Sequence, residues 1–174
     1  MRNKSTFAFY TFLFSLCVSL CSFNKTTAQE KGIYELSETN SLARTSSKKA
    51  NLSDREDFYA LALNLHATIY VENNSLRKSN KNITSASKLT FNDAKSFNIL
   101  NQNNQDFSDV ELITIVLNSE SDLNNKINLT QANGFNSLKY VYIKCNFKCS
   151  EQQLKSFVTS DAAIRVFYKS ETPS

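Results

Sequence analysis

Residues 7–23 form an uncharged 17-residue apolar run, FAFYTFLFSLCVSLCSF, with Arg2 and Lys4 before it and polar Asn24 and Lys25 after it. Small Thr26 and Ala28 then stand at the −3 and −1 positions of a cut between Ala28 and Gln29. A basic n-region, an apolar h-region and a small-residue cut site make up an export signal. The run is short for a spanning helix, which needs about 20 apolar residues. The expected outcome is a cleaved signal over 1–28 and no stable membrane insertion afterwards. Cys17 and Cys21 lie inside the run, but Leu16 and Leu20 precede them where a lipobox wants a small residue.

Residues 29–53 are mostly polar and keep no long period, so they read as a flexible leader with one short docked piece at 33–36. Order is expected from about Asp54. Ser53 and Glu56 match a capping box, and Phe58, Leu61, Ala62, Leu65 and Ile69 keep helical spacing. Tyr59, Leu61, Leu63, Leu65, Ala67, Ile69 and Val71 also alternate with period 2, so two templates compete. The β-branched and aromatic residues at 68–71 favour a strand there. The reading is a helical turn over 54–58 and a strand within 59–72. Asn73 and Asn74 mark a turn, residues 91–100 a short helix, and residues 101–105 a loop.

The last third is more strongly patterned. Residues 112–117, LITIVL, read as a strand buried on both faces. Residues 138–143 and 164–168 read as two further strands. Between those two, Ser150 and Gln153 form a capping box for a helix with the apolar stripe Leu154, Phe157, Val158. A connection of that length suits a parallel crossover. The fold class is therefore α/β: a small sheet with parallel C-terminal strands and a crossover helix, a solenoid being the second reading.

The solenoid reading rests on a repeat. Val110, Ile113, Ile115 and Asn118 recur 28 residues later as Leu138, Val141, Ile143 and Asn146. The shared L-x-x-L-x-L-x-x-N resembles the strand half of a leucine-rich repeat, whose period is 20–29 residues. The resemblance implies apolar plugs under a parallel sheet, with each Asn bonding open backbone where the chain turns away. A third copy falls at Ile164 and Val166, with Lys169 in place of Asn. Glu120 and Lys148 depart from the apolar residue expected two positions after each Asn. A small α/β domain that mimics the pattern stays open beside it.

Composition narrows the chemistry. Gly occurs twice and Pro once, which excludes Gly-rich phosphate cradles and dinucleotide fingerprints. The mean hydropathy of −0.38 suits a globular chain. The net charge of +4 comes from 20 basic and 16 acidic residues. Removal of the signal takes three basic residues and no acid, leaving 17 against 16. No basic stripe then remains to follow phosphates, and no nucleic-acid partner is expected. Arg77, Lys78 and Lys81 form the densest basic patch and read as a solvated loop.

Cys145 and Cys149 are the cysteines left after cleavage, and an even pair in an exported chain reads as a disulfide. Their spacing is one residue longer than a redox C-x-x-C, and no further ligands stand nearby for zinc. His66, the single histidine, reads as a hydrogen-bonded rim residue. Asn118, Glu120, Asp122 and Asn124 place oxygens at alternate positions but lack the Gly and Glu of a calcium loop. No catalytic residue, metal or cofactor is assigned. The domain reading is signal 1–28, leader 29–53 and one globular domain 54–174. The chain is expected to be secreted or periplasmic, a non-catalytic binding or interaction domain whose partner is a protein or envelope component. The alternative is a small exported enzyme using scattered carboxylates or Cys149.

Overall fold

The computed structural model describes residues 32–36 and 52–171, with side chains from Arg55 onward in the second stretch. The signal segment, the Ala28–Gln29 cut and the Ser53 cap lie outside the described residues or side chains. Among the described residues, seven strands form one sheet. They are β1 (Ile33–Glu35), β2 (Thr68–Glu72), β3 (Ser75–Lys78), β4 (Lys88–Phe91), β5 (Leu112–Leu117), β7 (Tyr140–Cys145) and β9 (Arg165–Ser170). Two short strands, β6 (Ile127–Asn128) and β8 (Val158–Thr159), pair separately. The helices are α1 (Leu52–Leu63) and α2 (Glu151–Phe157).

The sheet order is β1-β9-β7-β5-β4-β2-β3. From β2 through β4, β5 and β7 to β9, each strand lies parallel beside its predecessor, so the sheet grows at one edge. Ile69, Leu89, Ile113, Val141 and Val166 share one row across these strands. Strand side chains alternate between faces, so this row and the one two residues further on point into a common core. The core also takes Ala86, Leu100, Phe107, Leu129, Leu154 and Phe157 from the connections between strands. Every connection from β2 to β9 thus contributes to the same side of the sheet. Two strands cap the edges. β1 pairs in parallel with β9, and Leu36 N donates to the Tyr168 carbonyl at 2.8 Å. β3 folds back antiparallel on β2 through Asn73 and Asn74, whose φ values of 50° and 56° suit a two-residue hairpin.

Several expectations need correction. The period-2 pattern from Tyr59 is a strand only from Thr68; residues through Leu63 are helical, because Phe58, Leu61 and Ala62 pack on the sheet from one side of α1. The helix expected over 91–100 is absent. Phe91 ends β4, and Phe97–Asn101 is a 3-10 turn. The third repeat copy is offset by 25 residues, Val141 pairing with Val166, so Glu171 takes the Asn position instead of Lys169. The strand expected at 138–143 runs 140–145, because Leu112 pairs with Tyr140. Helix α2 stands where its cap placed it: Gln153 N donates to Ser150 Oγ at 3.3 Å and Ser150 N to Gln153 Oε1 at 2.8 Å.

Candidate functional site

The second face of the sheet carries the strand positions that alternate with the core rows. One row reads Tyr34, Phe167, Tyr142, Thr114, Thr90, Tyr70, Arg77 from edge to edge. Its aromatic half is sealed. Phe58 of α1 is fully buried against Leu112, Tyr140, Tyr142 and Phe167, with its ring stacked on Phe167 at 4.1 Å and edge-on to Tyr142 at 5.5 Å. Aromatic pairs add to area burial in holding such a helix.

The C-terminal end of α1 is finished by residues from outside it. His66 Nε2 donates to the Ala60 carbonyl at 3.0 Å, and Lys88 Nζ donates to the Ala62 carbonyl at 3.3 Å. Lys88 satisfies an orphan carbonyl and its charge complements the negative helix end, while His66 shares the Ala60 carbonyl with Asn64 N. His66 is thus a helix-capping residue at the edge of the sheet, in line with its sequence reading.

Beyond α1 the face is open. Tyr70, Thr90 and Val116 are half-buried and Lys144 is exposed. Arg77 lies over the Tyr70 ring at 5.1 Å, and Lys144 over the Tyr142 ring at 5.6 Å. Burial pushes the Lys88 ammonium below its ordinary pKa, and the charge of Lys144 pushes it further the same way. Among the described residues, Arg77, Lys88 and Lys144 have no carboxylate at ion-pair distance. Lys78, Lys139, Lys155 and Lys169 each have one, Asp106, Glu111, Glu151 and Glu171 respectively. The basic patch read as one loop is therefore split by strand alternation: Arg77 joins the open face while Lys78 turns to Asp106.

Cys145 and Cys149 are buried and face each other at disulfide distance, with Cα atoms 6.4 Å apart. Asp122 accepts from Asn118 N at 2.8 Å and Ser119 N at 3.1 Å, capping a 3-10 turn. Asp93 holds the β2–β3 hairpin through Asn73 N and through Ser96, which in turn accepts from Asn74 N. Partial burial pushes the Asp93 carboxyl up, but the bonds from Asn73, Ser96 and Lys95 outweigh it and hold the group below the usual carboxylate range. A shallow cavity of about 290 Å³ opens beside β1, lined by Gly32, Lys155, Ser160 and Asp161 among others. No metal-binding group of three acidic, His or Cys side chains occurs among the described residues, and no helix among them is long and apolar enough to cross a membrane. Comparison with protein-family models, curated proteins and solved structures finds no match to this chain.

Proposed function

We propose that this chain is an exported, non-catalytic binding or interaction domain acting at the cell envelope or in the extracellular space. It engages its partner with the open part of the second sheet face. The observation that carries this reading is the division of that face: Phe58 seals its aromatic half, while Tyr70, Thr90, Val116 and Lys144 stay accessible on rigid, in-register strands. Interaction surfaces favour aromatic and Arg side chains held on a stiff frame. Export is supported by the n-region, apolar run and small residues at 26 and 28.

The leucine-rich-repeat resemblance belongs to the same proposal. Successive strands are offset by 20, 24, 28 and 25 residues, all inside that family's period. Departures stand at the Asn position, which is Ala94 after β4 and Glu171 after β9. Asn118 and Asn146 are exposed and bond each other instead of closing open backbone.

The test is attachment of the labelled mature chain to cells of its source. Thr90→Glu puts a longer, charged side chain on the open face without touching the core. The reading expects attachment to be lost with the melting temperature unchanged. Undiminished attachment of a folded Thr90→Glu chain contradicts it.

A further inference from the structure

Resting on that reading of the open face, we propose that its partner is an acidic polypeptide segment with interspersed apolar residues, held by Arg77, Lys88 and Lys144. The charges come from β3, β4 and β7 and share one face: Arg77 stands in the row of Thr90 and Tyr142, Lys88 two residues before that row and Lys144 two residues after it. None of the three has a carboxylate at ion-pair distance among the described residues, as holds also for Arg55, Lys81, Lys95, Lys126 and Lys148, whereas Lys78, Lys139, Lys155 and Lys169 are paired. Carboxylates do border the patch: Glu72 ends β2 on the same face, and Glu171 lies beside Lys169 at 3.8 Å.

Burial lowers the pKa of Lys88 first, and the like charge of Lys144 on the same face lowers it further. A partner carboxylate near either ammonium is favoured by the shared positive charge of this face. Lys88 uses one of its three donors on Ala62 and keeps others for a ligand. Arg77 presents a planar fork suited to a carboxylate while its face rests on Tyr70.

The apolar neighbours select a polypeptide over other polyanions. Val116 is half-buried on the open face. Leu63 is 73% exposed, next in sequence to the residue that binds Lys88. An extended peptide sends alternate side chains to opposite sides, and at an irregular or helical turn it offers acidic and apolar groups together. A sulfated polysaccharide has nothing to cover Leu63 and Val116. A bilayer surface is broad and flat, whereas this patch lies beside the step made by α1.

The experiment is a fluorescence-anisotropy titration of the mature protein with a labelled peptide of mixed Glu and Leu. Dextran sulfate and vesicles containing phosphatidylglycerol are run as competitors. The proposal expects saturable peptide binding that weakens with salt. It expects at least about tenfold weaker binding in each of Arg77→Glu and Lys144→Glu, since like charges then face the peptide. Both sites are exposed, and circular dichroism confirms that each variant is folded. Binding that is absent, or unchanged in both variants, overturns the proposal. So does displacement of the peptide by dextran sulfate or vesicles at lower charge concentration than by unlabelled peptide. If the peptide fails while Thr90→Glu still abolishes cell attachment, the acidic partner falls and the binding face stands.

Discussion

Asn146 Nδ2 donates to Asn118 Oδ1 at 2.9 Å, joining two residues 28 positions apart at the ends of adjacent parallel strands. The bond follows from the register that sets Leu117 against Cys145, since the next residue of each strand leaves the sheet at the same height. Asn146 N also donates to the Leu117 carbonyl at 2.9 Å. Both side chains are exposed, so water competes for the pair. Asn146→Ala is therefore expected to cost only about 0.5–1.5 kcal/mol in urea unfolding. A loss beyond about 3 kcal/mol would mean that this Asn does the buried work expected of its leucine-rich-repeat counterpart.

Phe58 is the anchor of α1. Truncating a buried Phe costs about 3–5 kcal/mol, and here the loss should be local as well as global. Phe58→Ala is expected to raise amide exchange throughout α1 while β5 and β7 stay protected. Uniform acceleration of α1 and β5 together would show that the helix and the sheet open as one unit.

Much of the parallel sheet was legible. LITIVL is continuous and β-branched, and such a run has few structures open to it besides a buried strand. Ser150 and Gln153 announced α2 because a capping box is a local device. β4 was hidden: Lys88–Phe91 is only four residues long, and its apolar Leu89 and Phe91 become meaningful only beside Ile113 and Ile115. The open face was hidden for a related reason. Arg77, Lys88 and Lys144 are scattered in sequence, and only register brings them to one side. A period-2 reading of Ser75–Lys78 would have parted Arg77 from Lys78; grouping them by proximity in sequence missed it.

Tyr168 gives the fold an alkaline limit. Burial raises its pKa to about 12, and the nearby Glu35 carboxylate, which accepts a hydrogen bond from the phenol, adds to the shift. Burial likewise pushes Tyr142 up. An unfolded Tyr titrates near 10. The folded state thus favours the neutral phenol. The stability from this preference is fully present below about pH 10 and is lost as the pH rises toward 12. Tyr168→Phe is expected to flatten the fall in melting temperature between about pH 10 and 12, the window between those values. Equal slopes in the two proteins would contradict the assignment.

The cysteine pair closes a short loop between the end of β7 and the start of α2. Such a loop contributes about 2 kcal/mol of chain entropy when bridged. Cys149→Ser in the exported protein is expected to lower stability by about that amount and to leave attachment to cells intact. Two titratable thiols in the exported wild type would remove the bridge from the account. Loss of an activity at unchanged stability would favour Cys149 as a working thiol.

The central claim is that the partner covers the open half of the second sheet face, and protection of that face tests it most directly. Thr90→Cys places a thiol there, while Lys126→Cys places one on an exposed connection whose neighbours pack on the opposite side of the sheet. Maleimide alkylation of each variant is timed with and without the cell-surface fraction of the source. The account predicts that Thr90→Cys is slowed at least about tenfold by the fraction, a shift of about 1.4 kcal/mol in accessibility, and that Lys126→Cys is unaffected. Equal rates at Thr90→Cys with and without a fraction to which the chain binds, or protection at Lys126→Cys alone, would contradict it.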